Sequence, residues 1–439
     1  MPVGMRALGS GAVSPDSFCR TFSCSGELQH WVARPPGVVF MKVSSCQIGL
    51  LAGLALLSPS LAHASVSQFG ILKYLDYIQT SNAAPVTEAY AYSEGFVRAD
   101  SDGDLLNGAM VFPPPTNFVG SMYLVDIVGR DLRLGTQFGS AAEMEAFTGA
   151  GSYSFSVFGG ALSDTGVMSL PGPSYSDQIP AVTGTTYDDI QLCAPGVAFP
   201  VTFATYTNSG LQPNLDTEFF IFDLTGVGLP FLNFGPSSSY SSDTIPGSAL
   251  KSGHRYYYSV NTYSSSTTPT TQFGGSDQYI GFLRRTIGYF RTETLPGTVA
   301  GVITFEASYT TPGEVVDVEI VGPGGAVEEA LQITVGYNGY YAFDTAQTGI
   351  KSVRFKGRHW ISSLSTNVDL SVGQPDVDVT LRNGDVDGDN EVTNADYSLW
   401  AFYNGSFVAP HTNGDLDGDG EVTNADYAIW AFNNGLLGD

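Results

Sequence analysis

Two stretches near the C-terminus repeat each other almost residue for residue. Asn383-Gly-Asp-Val-Asp-Gly-Asp-Asn-Glu-Val-Thr-Asn-Ala-Asp-Tyr397 returns 30 residues later as Asn413-Gly-Asp-Leu-Asp-Gly-Asp-Gly-Glu-Val-Thr-Asn-Ala-Asp-Tyr427. Counting from the first Asp, carboxylates fall at positions 1, 3, 5 and 12, as Asp385, Asp387, Asp389 and Asp396, then as Asp415, Asp417, Asp419 and Asp426. Residues 383–439 hold 11 carboxylate side chains and no Lys or Arg. Without a cation such a segment repels itself. A hard cation, wanting about six to eight oxygens on a tightly turned loop, meets that need. Position 7, Glu391 or Glu421, would add a backbone carbonyl. Position 9, Thr393 or Thr423, would add an oxygen directly or through water. Position 6 needs left-handed backbone, which Gly420 adopts freely and Asn390 tolerates best among the rest.

This is the ligand pattern of the EF-hand loop, so the sequence predicts two calcium ions. Val392 and Val422 at position 8 are expected to pair in a short strand between the loops. Each loop is followed by an apolar segment, Tyr397-Ser-Leu-Trp-Ala-Phe402 and Tyr427-Ala-Ile-Trp-Ala-Phe432, and then by Asn-Gly, a helix stop. An ordinary EF-hand has a helix before its loop, whereas the first loop here follows a strand and a turn. Loop then helix, twice, resembles a type I dockerin over residues 383–439. That resemblance implies calcium-dependent docking onto a cohesin-like protein on a scaffold or cell surface. It also implies a polysaccharide-degradation context. The family's recognition pair at positions 10 and 11 maps onto Asn394 and Ala395 and onto Asn424 and Ala425, which makes these four the expected partner-binding residues. Where the family often carries a basic pair in the following helix, this chain has Ala401-Phe402 and Ala431-Phe432. An internal β-domain partner for the tail stays open.

The chain carries 18 Lys plus Arg against 43 Asp plus Glu, a net charge of −25. Nucleic-acid binding is disfavoured, because phosphates need a basic footprint. Residues 41–64 read as an export signal: Lys42, an apolar run from Ile48 to Leu57, and a small-x-small cleavage site at Ala62-His63-Ala64. Residues 1–40 are read as a mis-called start extension ahead of Met41. The mature chain then begins near Ser65, as a bacterial protein that is secreted or held at the cell surface. Cys19, Cys24 and Cys46 lie upstream of that point, and Cys193 is left as a buried hydrophobe. No later stretch offers about 18 consecutive apolar residues, so no membrane span is expected.

Between these ends the pattern is mainly β. Tyr153, Phe155 and Val157 alternate with serines, and Val201, Phe203 and Thr205 repeat the period of two. Phe219–Phe222 reads as a strand buried on both faces, and Arg255–Tyr263 as an aromatic strand. Residues 65–295 therefore suggest a β-sandwich or jelly-roll domain with one short helix at Ala141–Phe147. The serine-rich Ser237–Ser242 and Ser264–Thr271 read as surface loops. Residues 296–382 read as a small Ig-like or transthyretin-like sandwich of about seven strands, with a hairpin turn at Asn338-Gly339. This block resembles the transthyretin-like and carboxypeptidase-regulatory-like spacers of bacterial surface proteins. The dockerin-like calcium module, 383–439, closes the chain.

Other constellations carry less. Asp100-Ser-Asp-Gly-Asp104 starts like a calcium loop, but position 12 would be Val111, so a surface turn is expected. His254, His359 and His411 are far apart in sequence, with no zinc spacing. A GxSxG elbow is absent. Asp216 with Glu218, and Asp188-Asp189, are read as solvated strand faces rather than a glycosidase pair. Tyr256–Tyr258 and Tyr340-Tyr341 are candidates for stacking on sugar, against a core role. Two functional classes stay open: a non-catalytic secreted β-sandwich protein that docks through its tail or binds polysaccharide, and a glycoside hydrolase with its carboxylates in 65–295.

Overall fold

The computed structural model of the protein describes residues 66–100, 105, 107–114, 116, 118–124, 130–159, 163–206, 216–236, 239–307 and 312–439. The segments read as an export signal and as an extension before it, and Asp102 and Asp104 of the truncated loop, lie outside them. The described chain is mainly β, with short helices. None of those helices is long and apolar enough to cross a membrane.

Most strands from Val66 to Thr292 form one hydrogen-bonded path, and Phe199–Thr202 with Ser242–Ile245 form a separate two-stranded sheet. Val66–Ile78 runs parallel to Asp277–Thr292 and antiparallel to Tyr90–Ala99. From the first of these neighbours the sheet continues through Arg255–Pro269 and Asp216–Asp223 to an edge at Gly228–Pro236. On the other side it runs through Asp131–Phe138, Val119–Leu124, Asn107–Val111 and Gly151–Phe158 to Asp164–Leu170. Each wing folds over its own core. One holds Phe69, Ile71, Val97, Met110, Tyr153 and Phe155, and the other Val182, Phe203, Phe219, Ile221, Tyr258 and Phe290. The predicted helix is Ala141–Phe147, capped by Ser140 accepting from the Glu143 N–H.

Several local expectations need correction. The run Ser264–Thr271 is not simply a loop, because Ser264 to Pro269 pair in register with Phe282 back to Asp277. Threonines fit a pleated surface, and this end of the strand emerges into solvent, so it needs no apolar alternation. Glu218 is buried rather than solvated and accepts from the Tyr263 hydroxyl. Asp188 and Asp189 sit on a short helix, Thr186–Ile190, where they bond to Asn82 and Thr185. Tyr256, Tyr257 and Tyr258 are all buried, so they serve the core and cannot stack on a sugar. The large sheet also buries charge in pairs. Arg285 grips Asp76 through two bonds of 2.6 and 2.8 Å, and Arg133 meets Glu94 at 2.5 Å. Burial lowers the pKa of Lys73, and its ion pair with Glu145 works against that shift.

Among the described residues, seven strands between Thr298 and Leu381 form two further sheets. One is Tyr340–Asp344, Thr298–Phe305 and Val379–Leu381; the other is Val327–Thr334, Val315–Val321, Ile350–Lys356 and Ser363–Asp369. Val299, Ile303, Val316, Val318, Tyr341, Val353, Phe355 and Trp360 fill one core between them. Asn338 and Gly339 take left-handed φ values of 57° and 80°. Their turn carries the chain from one sheet to the other, not between paired strands, because Val327–Thr334 and Tyr340–Asp344 lie in different sheets. Beside it, Tyr337 packs on Phe222 of the large sheet, and its N–H donates to the Leu224 carbonyl at 2.8 Å. Arg255 lies 4.8 Å over the Tyr340 ring, and Asp376 pairs with Arg291 at 2.8 Å, so the two β regions meet through specific contacts.

Candidate metal centre

The duplicated segment folds into two loops and two helices. Asn394–Tyr403 and Asn424–Asn433 are each preceded by a threonine N-cap and closed by a capping box. The Thr393 hydroxyl accepts from the Ala395 N–H and the Thr423 hydroxyl from the Ala425 N–H, both at 3.1 Å. The position-12 carboxylates complete these boxes from the other side. One oxygen of Asp396 accepts from Thr393 N–H at 2.7 Å, and the other accepts from Val386 and Asp387. Asp426 does the same for Thr423, Leu416 and Asp417. A carboxylate that accepts from amides at both ends of a loop ties those ends together.

Inside each closed loop three carboxylates converge. Asp385, Asp387 and Asp389 each offer an oxygen within 4.8 Å of the others, and so do Asp415, Asp417 and Asp419. Asp385 and Asp415 are fully buried, whereas Asp387, Asp389 and Asp419 face solvent. The turn is stitched by the carboxylates themselves. Asp385 accepts from Gly388 and Asn390, and Asp389 accepts from Glu391. Asn390 and Gly420 adopt the left-handed backbone expected at position 6, with φ of 73° and 90°. The carboxyls of Asp387 and Asp417 are raised above the ordinary value. Desolvation is the largest cause; a backbone hydrogen bond opposes it and the neighbouring aspartates reinforce it. Hard oxygen donors with a surplus of negative charge suit a hard cation, and each triad could hold one.

Both loops bring together the position 1, 3 and 5 aspartates. Asp396 and Asp426 belong to neither triad. Glu391 and Glu421 are exposed, and their N–H groups donate to Asp389 and Asp419. Asn394, Ala395, Asn424 and Ala425 are exposed on the first turns of the helices.

The pairing of the position-8 valines differs from expectation. Val392 bonds Leu436 and Gly435, while Val422 bonds Gly405 and Ser406. Each loop thus pairs with the segment behind the other loop's helix, which leaves both valines buried under the crossing. The indoles follow the same exchange. Trp400 Nε1–H donates to the Thr423 carbonyl at 2.9 Å and Trp430 Nε1–H to the Thr393 carbonyl at 2.8 Å. Tyr397, Trp400, Tyr427 and Trp430 form one ring cluster between the helices. The symmetry extends to the surface, where Phe402 and Phe432 are 78% and 79% exposed, and Phe407 and Leu437, also 30 residues apart, are 81% and 67% exposed.

Residues that sequence reading did not single out tie this segment to the small sandwich. Glu306 accepts from Arg382 and from Asn433, both at 2.6 Å, and its carbonyl accepts from the Trp360 and Asn383 side chains. Ser362 donates to the Asp439 carbonyl at 2.7 Å. Trp360 lies 5.2 Å from the His411 ring, and His359 contacts the Asp385 carbonyl, so two histidines far apart in sequence meet at this junction. Burial pushes the His359 pKa down.

No protein-family model and no curated protein matches the chain. Among solved structures it is similar to a type II cohesin–X-dockerin complex from Acetivibrio cellulolyticus carrying an N-terminal interface mutation. Identity is 19%, with 32% of this chain and 96% of that chain covered and a TM-score of 0.27. The C-terminal interface mutant of that complex gives 19% identity over the same shares, with a TM-score of 0.26. A tetra-tandem repeat from the extending region of a large adhesion protein is 13% identical, covering 68% of this chain and 73% of that one at a TM-score of 0.18. At these scores the likeness carries no argument about the site.

Proposed function

We propose that the chain is a secreted, non-catalytic β-sandwich protein whose residues 383–439 bind two calcium ions and dock onto a cohesin-like protein. The observation that carries this reading is the pairing of two acidic triads with four bare apolar side chains, Phe402, Phe407, Phe432 and Leu437, repeated on the same 30-residue interval. Asp385, Asp387 and Asp389 would hold one ion and Asp415, Asp417 and Asp419 the other. The carbonyls of Glu391 and Glu421 would add oxygens, with Thr393 and Thr423 and the closing Asp396 and Asp426 around them. A bound cation supplies the charge that lets these carboxylates stay together. Asn394, Ala395, Asn424 and Ala425 would border the docking face. Exposed aromatics of this kind are typical binding anchors. The large β region would then be the displayed cargo at a cell surface, in a setting of polysaccharide breakdown.

The test is surface plasmon resonance of the full chain against a panel of purified cohesin modules, in excess calcium and in chelator. At least one module should bind in calcium only. Phe402→Ala with Phe432→Ala should weaken that binding at least about tenfold while leaving the melting temperature unchanged. Calcium uptake with no cohesin bound would sink the docking idea.

A further inference from the structure

The two loops share the backbone amides that stitch them, and they differ in what else reaches the position-1 carboxylate. Asp415 Oδ2 accepts from two backbone amides, Gly420 at 3.1 Å and His411 at 3.2 Å. Its counterpart, Asp385 Oδ2, accepts from the Asn390 amide at 3.0 Å and from the Lys356 ammonium at 2.7 Å. Where the second loop has a neutral donor, the first has a full positive charge. Lys356 is the last residue of the strand Ile350–Lys356, so this charge is delivered by the small sandwich, and a second bond to the Gly357 carbonyl at 3.0 Å steadies it. Asp385 is fully buried and the Lys356 side chain only 21% exposed, so water screens the contact weakly.

We infer that Lys356 makes the two calcium sites unequal: it lowers the affinity of the first loop and couples occupancy of that loop to its contact with the sandwich. The inference rests on the proposed calcium reading. Affinity of oxygen-ligand calcium sites follows the ligand charge count and the rigidity of the loop. Loop rigidity is nearly matched here, because the same stitching amides appear in both. Charge is not matched, because Lys356 cancels one carboxylate of the first set. An ammonium held on a ligand carboxylate also repels a dication entering on that carboxylate. The second loop therefore fills first, and the first loop fills at higher calcium, working against the tie between Asp385 and the sandwich. By linkage, whatever strengthens that tie weakens the first site by the same factor.

Calorimetric titration of the full chain with calcium alone tests this. Two classes of site are expected, separated by about tenfold in affinity. Asp417→Asn should remove the tight class and Asp387→Asn the weak one. Lys356→Met should tighten the weak class about tenfold and merge the two, whereas Lys356→Arg, which keeps the charge, should leave them apart. Equal affinities in the wild-type chain, or a weak class that Lys356→Met leaves in place, would overturn the inference while sparing the calcium reading. No binding at either loop would overturn both.

Discussion

Removing calcium should unfold the tail and spare the sandwich beside it. The repulsion can be worked from the geometry. Each triad packs three carboxylate oxygens within 4.8 Å, and two unit charges at that distance repel by about 0.9 kcal/mol even in a water-like dielectric. Three pairs give about 2.5 kcal/mol in the second loop; with Asp385 paired to Lys356 the first loop keeps one pair, so both together hold about 3.5 kcal/mol. A segment this short rarely holds more than about 3–5 kcal/mol of its own stability, so the bare charges are enough to cancel it. An ion at 100 times its dissociation constant returns about 2.7 kcal/mol per site. Hydrogen exchange read by mass spectrometry, in chelator and in excess calcium, follows the amides directly. Protection in the helices Asn394–Tyr403 and Asn424–Asn433 should fall at least about 100-fold in chelator, while Val316, Val318 and Val353 of the sandwich core keep theirs. Equal protection of the helices in both conditions would refute the reasoning. It would mean that the capping boxes and the Trp400–Trp430 cluster hold the tail without an ion.

Other outcomes follow from the β regions. Arg285→Met strands the buried Asp76 carboxylate and should cost about 3–5 kcal/mol in urea unfolding; Asp76→Leu added to it should recover most of that. Burial pushes the phenols of Tyr123, Tyr206 and Tyr289 up to about 12. A raised folded pKa means stability that is complete below the unfolded value near pH 10 and is lost as the pH rises from there through about 12. The tyrosinate absorbance that disappears in the Tyr123→Phe, Tyr206→Phe and Tyr289→Phe variants should therefore, in the wild-type chain, rise together with loss of the far-ultraviolet β signal. Absorbance from these three that rises while the sheet stays folded would contradict their burial.

The loops and the starts of their helices are legible because the bonds that close each loop and cap each helix are local. The Asp at position 12, the Thr three residues before it and the left-handed residue at position 6 all act within a dozen residues. The alternation around Tyr153 and the run Phe219–Phe222 were legible for the same reason, since burial on a strand leaves a period in the sequence. What the sequence hid acts across distance. Lys356 reaches Asp385 over 29 residues, and Glu306 reaches Asn433 over 127, with no spacing that announces either pair. The crossed pairing of Val392 and Val422 was hidden too. Two nearly identical loops can pair with each other or exchange tails; here they exchange, with each indole bonded to the other loop. Ser264–Pro269 misled because its hydroxyl side chains suit a turn and a half-exposed strand equally well; its partner strand decided the matter.

The central claim is that the acidic triads are calcium sites, and equilibrium dialysis of the full chain against calcium tests it most directly. Two ions should be retained per chain. One should be lost when Asp387 and Asp389 become Asn, and the other when Asp417 and Asp419 do. A chain that retains no calcium, or whose bound calcium survives both pairs of substitutions, would contradict the account.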